Sequence, residues 1–148
     1  MPYGFAGGGL PQHVRTIAVL PFENETSTPE LQRQLQEVMR RELRNRLGVR
    51  EASEAKADAV VRGTITRYDV DVPIGFSTDP NSRPVATRRK LQLVVDVEIV
   101  DQTDGKTLWE RKGLSADGDY NEGAEQAGRR IALDKLVNDV VEGAQSQW

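Results

Sequence analysis

The sequence predicts an α+β two-layer sandwich, a four-stranded mixed sheet with two helices on one face, in the order β-α-β-β-β-α. Three observations carry this. Two segments repeat apolar residues at three- and four-residue spacing, and four others are either continuously apolar or alternate with period two. Each helical segment has a single apolar stripe, so both need one common partner, and the apolar face of a sheet provides it. A chain of 148 residues, 37% hydrophobic and 29% charged, has the size and composition of one domain with a modest core. The organisation read from it is a tether over residues 1–12 followed by a single α/β domain over 13–148.

Residues 1–12, "MPYGFAGGGLPQ", place Gly7, Gly8 and Gly9 between prolines, a composition that loses too much entropy to pack as a regular element. Val14 to Leu20 is β-branched and apolar, a buried strand that Pro21 ends. Thr28 before Pro29 and Glu30 supplies a cap, a proline at the first helical position and an acid suited to the helix dipole. Leu31, Leu35, Val38, Met39, Leu43 and Leu47 then line one face, arginines fill the other, and Gly48 offers a left-handed stop.

The stretch "ADAVVRGTITRYDVDV" alternates as a second strand, with Ala59, Val61, Gly63 and Ile65 on one side and Arg62, Thr64, Thr66 and Tyr68 on the other. In "LQLVVDVEIV", Leu91, Leu93, Val95, Val97 and Ile99 share a face; "DQTDGK" turns the chain into "TLWERKGLS", completing a hairpin. Asn121 or Asp119 caps a last helix carrying Ala127, Ile131, Val137, Val140 and Ala144 and ending near Trp148.

The chemistry available is narrow. With no cysteine there are no disulfides, no thiolate catalysis and no cysteine-based zinc sites, and the lone His13 beside the glycine-rich tether reads as a solvated residue. The "DGKT" at residues 104–107 lacks the earlier glycine of a phosphate-binding loop, since position 100 is Val100, and a strand follows it instead of a helix. Glu23, Asn24 and Glu25 sit at a strand end with no base or nucleophile beside them, so Asn24, Thr26 and Ser27 read as turn formers. Asp117 and Asp119 read as acids facing a helix N-terminus. No enzyme activity, cofactor or metal is expected. A net charge of −3 gives no global footprint for nucleic acid. No run approaches the roughly 20 apolar residues of a membrane span, and the start lacks the pattern of a signal peptide, so the chain as written is expected to be soluble.

One segment stands out. Residues 70–90, "VDVPIGFSTDPNSRPVATRRK", form a long connection that mixes Val72, Ile74 and Phe76 with Arg83, Arg88, Arg89 and Lys90. Guanidinium groups pair with phosphates while apolar side chains meet acyl chains or a hydrophobic protein surface, so the mixture suits an amphiphilic, anionic partner. Ile74, Phe76, Arg83, Arg88, Arg89 and Lys90 are therefore the candidate binding residues. The same residues also fit an extended hairpin whose charges guard a sheet edge.

The tyrosine of "YGF", then "IAVLPFENETSTPEL", the "ADAVVRGTITRY" strand, the "VDVEIVDQTDGKTLWE" hairpin and a terminal helix closing on Trp148 together resemble the LptE lipoproteins of lipopolysaccharide export. The resemblance spans almost the whole chain and lies in the order and spacing of these segments together. It implies two helices on a four-stranded sheet, and a lipoprotein on the periplasmic side of the outer membrane. It also implies a plug in the LptD β-barrel that assists lipopolysaccharide delivery, without nucleic acid and as a monomer or weak dimer when alone. Family members begin with a lipidated cysteine shortly before a tyrosine. Here Met1 and Pro2 precede Tyr3, so a form whose signal peptide and anchor cysteine have been removed or replaced is expected. The family's ligand-binding positions are basic, in keeping with the chemistry of Arg88, Arg89 and Lys90. The "LPFENET" corner recurs in several envelope lipoprotein families and so reads as a fold signature. It is similar to the "AVLPFEN" strand of CsgG-like secretion lipoproteins, an alternative that implies a ring-forming component but needs strands and pore segments for which this chain is too short. A small nucleic-acid-binding α/β domain is a further alternative, disfavoured by the acidic total and the lack of exposed stacking aromatics.

Overall fold

The computed structural model describes residues 10–74 and 88–146, the side chains of 72–74 excepted. Most of the expected tether, with Tyr3 and Phe5, lies outside the described residues, as do Phe76, Arg83, Trp148 and the side chain of Ile74.

The first apolar run forms β1 (Thr16–Val19), in which Ile17, Ala18 and Val19 are buried. Past Pro21 the chain makes a two-residue strand, β2 (Glu23–Asn24), and enters α1 (Glu30–Leu47). Leu31, Leu35, Met39 and Leu43 recur every four residues as the fully buried row, with Val38 and Leu47 partly buried beside them. Gly48 ends the helix in the left-handed conformation at φ 70°, as its type predicts. Thr28 does not cap with its side chain. Its backbone carbonyl instead accepts from the Leu31 N–H and the Asn24 amide.

A second two-residue strand, β3 (Arg50–Glu51), precedes the long strands β4 (Ala59–Ile74), β5 (Arg88–Asp101) and β6 (Thr107–Asn121), and α2 (Glu125–Ser146) closes the order. The sheet therefore has six strands where four were predicted; β2 and β3 are too short for any periodicity to announce them. Its order is β3-β1-β4-β5-β6, with β2 beside β4. β1 runs parallel to both β3 and β4, and β4, β5 and β6 form an antiparallel meander, so the sheet is mixed as expected.

Both helices lie on one face. The core joins Ile17, Phe22 and the α1 row to Leu91, Leu93, Val95, Val97 and Ile99 of β5 and to Ala132, Leu136, Val137 and Val140 of α2. On α2 the buried stripe agrees with the predicted one at Val137, Val140 and Ala144 and departs from it in the first turns. Ala127 and Ile131 face solvent, and Gly128, Arg129, Ala132, Leu133 and Leu136 take the core side. Asn121 ends β6, and its carbonyl accepts the Ala124 N–H before the helix starts. Asp117 and Asp119, read as helix-facing acids, are strand residues of β6.

Trp109 lies under Gly143, where a Cβ would meet the indole at 2.5 Å, and Gly118 backs onto Gly128. Glycine at these points lets α2 settle onto β6.

Candidate functional site

The polar corner after β1 is a connection. Asn24 Oδ1 accepts from the Thr26 N–H (3.0 Å) and hydroxyl (2.7 Å), forming a side-chain turn, and Gln36 Nε2 donates to the Val19 carbonyl at 2.8 Å. These bonds tie strand end to helix and leave no group poised for chemistry. His13 is half exposed and bonded to the buried carboxylate of Asp101, at the far end of the sheet from residues 70–90. Thr103, through its hydroxyl and N–H, and His13 hold the Asp101 carboxyl below the usual range, against the opposing effect of its burial.

The helix-free face of the sheet holds a small apolar cluster of Ala18, Ala57, Val60 and Val100 and is polar beside it. Arg62 pairs with Glu98 across β4 and β5 at 3.1 Å, and Glu98 stands opposite Glu110 on β6. A groove of about 440 Å³ runs over this face, lined by Leu20, Pro21, Arg62, Asp96, Glu98 and Glu110. It carries both signs of charge and no aromatic platform.

Of the segment that stood out in the sequence, residues 70–74 and 88–90 are sheet, and 75–87 lie outside the described residues. β4 continues to Ile74 and β5 begins at Arg88, so Ile74, Pro73 and Val72 oppose Arg88, Arg89 and Lys90 in a distal ribbon that β6 completes. The three candidate cations come together there, each facing a carboxylate. Arg88 pairs with Asp119 at 3.3 Å, Lys90 with Asp117 at 3.7 Å, and Arg89 with Asp71. Arg88, Asp119 and Asp71 are well exposed, which limits such pairs to about 0–1 kcal/mol each. A phosphate, which offers more acceptor oxygens to a guanidinium, can therefore compete for these cations.

Beneath the ribbon lies a cluster that the sequence reading missed. The β4–β5 register shifts between Ile65 and Arg67, which turns Tyr68 from its predicted outer side to the helix side, opposite Leu93. The Tyr68 hydroxyl donates to Glu125 and accepts from Arg129 Nε, both at 2.8 Å, while Arg129 also donates to Glu125 (2.8 Å) and to Gln34 of α1 (3.2 Å). The guanidinium stacks 5.3 Å from the centre of the Tyr68 ring. Burial, aided by Glu125 and opposed by Arg129, pushes the Tyr68 phenol up to about 12. Arg129 is 6% exposed. Its position next to Ala132 and Leu133 on the buried stripe is the signal that a correct phase of α2 would have given.

The lipopolysaccharide-assembly family LptE matches residues 14–144. The chain belongs to the LptE family. Its fold is shared with solved structures at low identity. A PelC dodecamer from Paraburkholderia phytofirmans is 17% identical with a TM-score of 0.60, over 93% of this chain and 94% of that one. The protein CT253 from Chlamydia trachomatis is 14% identical with a TM-score of 0.57, over 88% and 98% of the two chains. Lipoprotein GNA1162 from Neisseria meningitidis is 18% identical with a TM-score of 0.51, over 86% and 96%. No curated protein matches the chain. Membership in the LptE family agrees with the two helices on a mixed sheet, and among the described residues no helix is long and apolar enough to cross a membrane.

Proposed function

We propose that the chain serves lipopolysaccharide assembly as a non-enzymatic, lipid-anchored protein on the periplasmic face of the outer membrane, seated as a plug in an LptD-like β-barrel. The observation that carries the reading is the family match over residues 14–144, nearly the whole fold. The surface supports it. Barrel lumens are polar, so a plug needs a polar exterior, and among the described residues Ile131 is the one large hydrophobic side chain that stands exposed. The distal ribbon is the proposed contact with lipopolysaccharide, with Arg88, Arg89 and Lys90 taking phosphates. Arg83, and Ile74 and Phe76 toward apolar surface, are proposed from the sequence alone.

The test is lipopolysaccharide binding by a variant carrying Arg88→Glu and Arg89→Glu, at low and high salt. Weaker binding with a flatter salt dependence is expected, because exposed charge attraction is screened over roughly 8 Å at physiological ionic strength. Binding equal to the parent at both salts excludes the ribbon. Co-purification with an LptD-like barrel tests the plug separately.

A second reading draws on the dodecamers formed by PelC from Paraburkholderia phytofirmans. It makes this chain a subunit of a secretion ring closed by repeated head-to-tail contacts. The family match favours the plug.

A further inference from the structure

The distal ribbon is joined to the rest of the sheet through a weakened section. Between β4 and β5 the register shifts twice, once between Ile65 and Arg67 and again between Asp69 and Val72, and Tyr68 lies between the two. Bulges interrupt the ladder and bend the strand that carries them. Support from the neighbouring strand also ends here. β2 reaches only Ile65 of β4, and among the described residues no strand pairs with β4 beyond it on that side. β6 is likewise the last strand of the sheet. Among the described residues the ribbon is thus three strands wide, with an open edge on each side.

One phenol ties it to the helices and a second braces it from within. The Tyr68 hydroxyl is held by Arg129 and Glu125 of α2, and Arg129 in turn reaches Gln34 of α1, so one hydroxyl links β4 to both helices. The Tyr120 hydroxyl donates to the carbonyl of Val70, inside the second bulge. The close approach of Gly118 to Gly128 brings the first turns of α2 down to the level of Tyr68.

We propose that Tyr68 is the positioning residue of the ribbon: gripped between Arg129 and Glu125, it fixes the angle at which Arg88, Arg89 and Lys90 are presented beyond the two bulges. The inference rests on the reading of the ribbon as the lipopolysaccharide contact and names what orients it. Tyr68 touches no ligand in this scheme. It acts through the backbone of β4, to which β5 and its cations are paired.

The experiment compares the full chain with its Tyr68→Phe variant, which keeps the ring and its stacking on Arg129 and removes only the hydroxyl. Hydrogen exchange is followed amide by amide, and binding is measured with purified lipopolysaccharide. Exchange at Arg67–Val72 and Arg88–Lys90 is expected to quicken about 5-fold, the scale of one lost hydrogen bond, while Leu93–Ile99 of β5 keep their rates. Binding is expected to weaken by about 3-fold or more on the same scale, with its salt dependence retained because the cations remain. Glu125→Gln, which leaves Tyr68 and Arg129 in place, is the second variant and should loosen the ribbon to a smaller degree. Unchanged exchange in the ribbon for both variants overturns the proposal. A looser ribbon with unchanged binding overturns it too, provided the Arg88→Glu, Arg89→Glu variant binds less well than the parent. Should that charge-reversed variant also bind as the parent does, the ribbon is not the lipopolysaccharide contact and the functional reading falls first.

Discussion

Gly118 of β6 and Gly128 of α2 touch backbone to backbone: a Cβ on Gly118 would stand 1.8 Å from the Gly128 carbonyl oxygen. No rotamer relieves such a clash, because both partners are main chain. Gly118→Ala should therefore push α2 off the sheet and cost about 1–3 kcal/mol or more, the range for overpacking. Urea unfolding of the variant measures it, and a loss under about 0.5 kcal/mol, the scale of neutral surface changes, would mean that the helix shifts freely.

Leu43→Ala should remove a fully buried side chain of the α1 row and cost about 2–5 kcal/mol. Arg40, three residues earlier, is exposed and pairs with Glu51 of β3 at 2.5 Å. Arg40→Ala is expected to change stability by less than about 1 kcal/mol, because Arg44 holds the same carboxylate at 2.9 Å. Thermal melts of the two variants side by side separate the buried face from the wet one.

Acid should reach the fold through Asp58. Its carboxylate accepts the Arg15 and Thr16 N–H groups at 2.8 and 3.0 Å, and these bonds hold its folded pKa below the usual value. A depressed folded pKa means that the native state binds fewer protons than the unfolded one. Its stabilising contribution is complete above the unfolded value of about 3.9 and is lost as pH falls through the folded value. Asp58→Asn should thus be less stable than the parent at neutral pH, and the gap between the two should narrow as pH falls below the unfolded value of about 3.9. A gap that stays constant to about pH 2 would contradict the assignment.

At the alkaline end, the Tyr68 phenol is expected to ionise at about 12, above the ordinary value of about 10. A folded pKa raised in this way contributes stability that is fully present below about pH 10 and is lost as pH rises toward 12. Ultraviolet difference titration of the parent and Tyr68→Phe isolates the transition. Ionisation of Tyr68 near pH 10 would show that water already reaches the hydroxyl.

Size in solution separates the two functional readings. A plug acts as one copy, so light scattering should give a monomer or a weak dimer; a stable ring of many subunits would favour the secretion reading.

Period and punctuation made the long elements legible. The β5 alternation from Leu91 to Ile99 and the α1 row from Leu31 to Leu43 are buried as read. What escaped was whatever breaks period. A single extra residue near Thr66 reversed the side on which Tyr68 emerges, and alternation carries no mark of where a bulge will fall. The phase of the first turns of α2 is misleading because Ala127 and Ile131 fit one stripe and Ala132, Leu133 and Leu136 another, and an arginine on the second hides it, whereas Val137, Val140 and Ala144 are buried as read. The basic residues 88–90 were visible as chemistry. Their carboxylate partners come from Asp71 and from β6, and only the strand register brings these together.

The parallel placement of β1 between β3 and β4 bears on the order in which the chain becomes a protein. Ile17 pairs with Ala59, so β1 leaves the ribosome with neither neighbour yet made and waits while some forty residues follow. The meander of β4, β5 and β6 closes on itself through near neighbours in sequence and can assemble without it. β1 is thus made before either of the two strands between which it lies. Until β3 and β4 have formed, Ile17, Ala18 and Val19 are an unsheltered sticky end, open to whatever apolar surface or holding chaperone meets the chain first.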